Sequence, residues 1–238
     1  MGNSISGAQL ALDFRWSVAA DLASFVPLGN EQAVATVAAL GGPPGQSLYL
    51  TGPPGSGRSH LLQAACGRVS EVGGPAVYVP LVEHIRGPVA QLDGLEGLSL
   101  VAIDDLDCLA GRDDWQEGVF HLYNRLRDAG GLMVVSASAA PAALGLALPD
   151  LVSRLESLLR LRLTAADDDR RRRILAGAVA RRGLDLPEAS TEYLLRHEAR
   201  DLGHLMAVVE RLDAASLQAG RRLTVPFIKS VLGDQPPA

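Results

Sequence analysis

The stretch YLTGPPGSGRSHLLQAACGRV, Tyr49 to Val69, constrains the fold more tightly than any other part of the 238-residue chain. An apolar strand pattern runs directly into a glycine-rich loop, and the loop runs directly into a helical pattern. Gly52, Gly55 and Gly57, followed by Arg58 and Ser59, match GxxxxGK(S/T) at every fixed position but one. Glycines let such a loop wrap tightly, so that successive backbone amides converge on phosphate oxygens while the helix N-terminus adds positive potential. Gly52, Pro53, Pro54, Gly55, Ser56, Gly57, Arg58, Ser59 and His60 are therefore candidate nucleotide-binding residues, with the Ser59 hydroxyl a candidate magnesium ligand. The bland alternative is a plain Gly/Pro turn entering a helix.

Arginine stands where lysine is expected. Lysine puts a compact charge between two phosphates, whereas guanidinium is wider, planar and able to fork onto two oxygens. Charge is kept and fit around a transferring phosphoryl group is not, so nucleotide binding is expected to survive and intrinsic hydrolysis to be slow. Lys229 is the only lysine in the chain, so arginine here is partly a compositional habit.

The second half of a nucleotide site follows in LVAIDDLD, an apolar strand ending in Asp104 and Asp105. Strand-end acids lie at the ligand edge of an α/β sheet. There one carboxylate, Asp104, can hold magnesium through water, and the other can orient an attacking water. Further apolar runs at 47–51, 76–80, 132–136 and 158–163 alternate with helical patterns, which predicts a parallel five-stranded sheet covered on both faces. After Leu163 only helical spacing recurs, in ADDDRRRRILAGAVARRG, PEASTEYLLRHE and RDLGHLMAVVERLDAASLQAG. The expected organisation is an N-terminal segment, 1–20, an α/β domain, 21–164, and a small all-helical domain, 165–233.

Composition narrows the function. A formal net charge of −5 argues against a chain whose main work is holding DNA by its phosphates. Nothing approaches the roughly 18 apolar residues of a membrane span, and no leader opens the chain, so a cytoplasmic address is expected. MGNSIS fits a myristoylation pattern, but so short a pattern recurs by chance and one acyl chain anchors weakly. Cys66 and Cys108 are expected to be reduced core residues. The block DDDRRRR, 167–173, reads as a solvated helix start whose acids and arginines satisfy the helix dipole and i,i+4 pairing. Arg181, Arg182, Arg221 and Arg222 read as surface charge.

Taken together, the loop, the Asp104-Asp105 strand, LMVVSAS, LPDLVSRLES and HEARDLGHLMAVVERL resemble the AAA+ core of the bacterial replication initiator DnaA. The resemblance runs from about Gln9 to Leu232 and is closest to the regulatory members of the DnaA-like AAA+ family, which inactivate the initiator. It implies an AAA+ sheet domain with a helical lid, bound to ADP or ATP with magnesium. Ser138 stands where the initiator carries an acidic sensor. Arg154 matches the arginine finger that reaches a neighbouring subunit's nucleotide, and Arg200 matches the lid arginine that contacts phosphates in cis. QLALDF fits QLxLxF, the peptide pattern that docks on the DNA polymerase sliding clamp. Gln9 would bond in a polar subsite while Leu10, Leu12 and Phe14 fill an apolar groove.

The expected partners are therefore DnaA and the polymerase III sliding clamp, and the resemblance also allows a homo-oligomer when the chain is alone. The chain stops soon after VPFIKSVLGD, so no origin-reading domain and no sequence-specific DNA binding are expected. The function implied is a brake on replication initiation: bound to the clamp and to ADP, the chain promotes hydrolysis of DnaA-bound ATP through Arg154. An autonomous DnaA-like ATPase or helicase loader is the alternative. Phe25 and Val26 either line the base pocket or pack in the core.

Overall fold

The computed structural model describes residues 20–42, 45–198 and 202–233. Five strands, β1 (Leu48–Thr51), β2 (Ala76–Pro80), β3 (Leu100–Asp104), β4 (Leu132–Ala137) and β5 (Leu159–Arg162), form one sheet in the order β2-β3-β4-β1-β5. All pairings are parallel, with Leu48 opposite Val134 and Leu159, and Pro80 opposite Asp104. Helix α1 (Glu31–Ala38) precedes β1, and α2 (Arg58–Glu71), α3 (Leu81–His84), α4 (Asp113–Asp128) and α5 (Pro149–Glu156) lie in the crossovers between successive strands.

Side chains alternate faces along each strand, so the sheet has two cores. Tyr49, Val79, Ile103 and Val135 face Leu81 of α3, Trp115 and Leu122 of α4, and Leu151 and Leu155 of α5. Leu48, Leu50, Ala102 and Val134 face Val37 of α1 and Leu61, Leu62 and Cys66 of α2. Cys66 is buried here, which pushes its thiol up to about 12, and Cys108 is half-buried. All five residues of β3 are buried, which delivers Asp104 to the carboxyl edge of the sheet with 2% exposure.

Past the sheet, α6 (Asp168–Arg181), α7 (Glu188–His197), α8 (Leu202–Ala219) and α9 (Val225–Leu232) pack around Leu175, Leu194, Leu205, Leu212 and Ile228. Asp167 caps α6, accepting the Arg170 N–H at 2.8 Å. Helix α9 is entered through Pro226.

One buried polar residue fixes the entry to α5. Gln116 of α4 donates to the Leu109 carbonyl at 2.9 Å and accepts the N–H groups of Ala147 and Leu148 at 2.8 and 3.0 Å. The start of the helix that carries Arg154 is thus tied to the first turn of α4 through a buried side chain, where lost hydrogen bonds are costly.

Candidate nucleotide-binding site

Gly52 leaves no room for a side chain. A Cβ on Gly52 would lie 2.6 Å from Ser56 Oγ and 2.9 Å from the Leu163 carbonyl, while Gly55 and Gly57 take φ of 72° and 98°. The N–H groups of Gly55, Gly57, Arg58 and Ser59 find no acceptor among the described residues. Nor do the buried Ser56 Oγ and Arg58 Nη1. Four free amides at a helix N-terminus beside two orphaned polar atoms form a cradle suited to phosphate.

The acids stand across from this loop. Asp104 accepts from Tyr78 Oη at 2.6 Å, from the Ser136 hydroxyl and from the Asp105 N–H at 3.1 Å. Ser136 lies on β4, between the strand that feeds the loop and the strand that ends in the acids. Asp105 sits in the left-handed region at φ 57°, the one non-glycine to do so among the described residues. Burial and the neighbouring Asp104 charge raise its pKa, and Arg58 opposes the rise. Arg58 itself reaches Asp105 Oδ1 at 3.4 Å and Asp107 Oδ2 at 4.0 Å. Asp107 in turn accepts the Ser138 N–H at 2.9 Å and the Ser138 hydroxyl, so the two motifs meet through one chain of charge.

Beside the loop lies a cavity of about 500 Å³ between the sheet domain and the helical domain. The loop, Ser24, Phe25 and Val26 line one side, and Ile174, Arg181, Leu202 and Met206 line the other. Phe25 and Val26 thus do line the pocket. His60 turns its Nε2 to the Asp21 carbonyl at 2.8 Å and meets the Phe25 ring edge-on at 5.3 Å. Burial lowers its pKa, opposed by Asp21 and helped by Arg181 and Arg170. The unfolded chain then binds a proton near pH 6.5 that the folded chain resists, so stability is full above that pH and falls below it. His60→Gln should remove this part of the decline as pH falls below about 6.5. Parallel thermal melts of the variant and the wild type across that range would show no divergence if His60 carried none of it.

Within DDDRRRR the solvated helix start holds for Asp167, Asp168, Asp169 and Arg173 and for the Arg171–Asp168 pair, and Arg170 departs from it. Its side chain is only 2% exposed, with Nε donating to the Val26 carbonyl at 3.0 Å, Nη1 to Thr164 at 3.1 Å and Nη2 to Ser56 at 3.2 Å. The guanidinium also stands 5.1 Å from the Phe25 ring centroid. Sequence reasoning missed this residue, and Tyr78 and Asp107 with it. Arg154 lies half-buried on α5, does not line the cavity and makes no ion pair with any described residue. Gln9, Leu10, Leu12, Phe14 and Arg200 lie outside the described residues.

A phosphate-type loop on a 2-3-4-1-5 parallel sheet, roofed by a helical lid, is the AAA+ arrangement. Residues 167–232 match the family model described as the lid domain of Hda, and residues 91–165 match that of the bacterial DnaA ATPase domain. Over these two stretches the chain is similar to the Hda lid and to the DnaA ATPase domain, which supports an Hda-like, DnaA-related AAA+ protein. Domain III of the Thermotoga maritima replication initiation protein DnaA aligns with TM-score 0.75 and 21% identity, over 92% of this chain and 98% of that one. AMPPCP-bound DnaA from Aquifex aeolicus aligns with TM-score 0.63 and 21% identity, over 85% and 67%. The Thermotoga maritima RuvB Holliday junction branch migration motor aligns with TM-score 0.63 and 13% identity, over 87% and 68%. At these identities the likeness shows the fold. No helix among the described residues is long and apolar enough to cross a membrane.

Proposed function

We propose that this chain is a brake on replication initiation: docked on the sliding clamp through Gln9, Leu10, Leu12 and Phe14, it supplies Arg154 to ATP held by DnaA. The single observation that carries the reading is the contrast between two arginines. Arg58, in the chain's own loop, is engaged by Asp105 and Asp107, while Arg154 stands away from the chain's own cavity without an ion-pair partner among the described residues. A guanidinium free of carboxylates can fork onto the γ-phosphate of a neighbour and stabilise charge as it develops. The Hda-type lid supports the same reading.

In this reading the chain's own site holds ADP as a structural ligand. The four free amides and Ser56 Oγ would take the phosphates, Phe25, Val26, Ile174 and Met206 would flank the base, and Arg200 would add a phosphate contact from the lid. A magnesium ion would be held by Ser59 and, through water, by Asp104, whose oxygens already accept three hydrogen bonds. That ion would screen phosphate charge.

The test is a single-turnover assay of DnaA-bound ATP with this protein, ADP, clamp and DNA. Hydrolysis should accelerate only with the full set, and Gln9→Ala should return it to the rate without clamp. A rate indifferent to the added protein would end the proposal.

A further inference from the structure

We propose that Arg170 is a lid-borne positioning residue that holds the Ser56–Gly57 peptide with its N–H turned toward the phosphate site, so that nucleotide affinity depends on lid docking. The inference rests on the nucleotide-site reading above. A trans peptide is planar, and its C=O and N–H point to opposite sides. Arg170 Nη2 holds the Ser56 carbonyl at 3.2 Å, which turns the Gly57 N–H the other way, and that N–H has no acceptor among the described residues. Gly57 is the one residue of the pair that leaves the peptide free to rotate, with φ 98° and no side chain. Local hydrogen bonds tie the Ser56 N–H and the Gly57 carbonyl on either side, and among the described residues the guanidinium is the donor to the Ser56 carbonyl between them.

Three segments converge on Arg170. Its acceptors are Val26 ahead of α1, Thr164 at the exit of β5 and Ser56 in the loop, while its own backbone belongs to α6, the first lid helix. No carboxylate lies within ion-pair distance among the described residues, so the buried charge is held at close range by carbonyl dipoles and the Phe25 ring, with Asp167 and Glu31 acting from farther off. Burial lowers its pKa. A strut that merely joined two domains could be apolar, at no desolvation cost. A guanidinium can in addition dictate which way three carbonyls face.

Coupling of this kind is reciprocal: whatever factor Arg170 adds to nucleotide affinity, nucleotide adds to lid docking. In titrations of the full chain with a fluorescent ADP analogue, Arg170→Ala should weaken binding about 10- to 100-fold. Arg170→Lys, which cannot fork to three acceptors, should fall between. Millimolar guanidinium should restore binding to Arg170→Ala saturably, and methylammonium should not, a pattern that a purely structural strut would not produce. Hydrogen exchange on the wild type gives a reading independent of variant folding: saturating ADP should slow exchange across Asp168–Leu175. ADP binding to Arg170→Ala within threefold of wild type, or unchanged exchange in that segment, overturns the proposal. If the wild type binds no ADP, the nucleotide-site reading falls and this inference with it.

Discussion

Arg154→Ala should lower the stimulation of DnaA-bound ATP hydrolysis by on the order of 10³-fold or more, while leaving the variant folded. The magnitude is that of an arginine supplied in trans to a transferring phosphoryl group. The small structural effect follows from the side chain's surroundings: half-buried, on the flank of a helix anchored by Leu151 and Leu155, with no ion pair to lose among the described residues. Arg154→Lys keeps the charge and loses the fork, so it should recover only a small part of the rate. The decisive comparison sets single-turnover hydrolysis beside clamp binding and thermal melting of the same protein. Full stimulation by Arg154→Ala would make the chain an adaptor rather than a contributor to the chemistry.

Gly57→Ala carries the second large expected effect. The backbone there lies at φ 98°, which strains any side chain, and the new Cβ would fall 2.5 Å from Phe25 Cε2. Phe25 cannot simply swing aside, because it packs edge-on to His60 and under Arg170. Strain and overpacking of this kind each cost about 1–3 kcal/mol. The melting temperature should therefore drop by roughly 4–24 °C for a chain of this size, and ADP affinity should fall with it. Gly73→Ala separates the two causes, since Gly73 has φ 83° and nothing within 4 Å of its Cβ position. Equal melting losses in the two variants would remove the Phe25 contact from the account.

Much of the fold was legible because its signals are local. Each of the five apolar runs became a strand within a residue or two, and the loop and Asp104 were placed by their position after a strand. The lid helices followed from apolar spacing. Arg170 was hidden for the opposite reason: in a run of four arginines, composition says nothing about which side chain turns inward. Helical geometry offered a signal, since Arg170 lies one turn before Ile174 and two before Ala178, extending the face that meets the cavity and the lid core. Tyr78 was invisible from β2 alone, because its partner Asp104 sits on the neighbouring strand, in a register that only the sheet supplies.

The pairing of Arg58 with Asp105 and Asp107 bears on how the site would respond to ionic strength. A loop lysine facing water attracts phosphate with a charge that salt screens. Here the cation already has anionic company at 3.4 and 4.0 Å. Any phosphate that enters exchanges one set of anions for another around the same guanidinium, and dissolved ions weaken both sets alike. If the site holds a nucleotide as proposed, its occupancy should vary little with ionic strength.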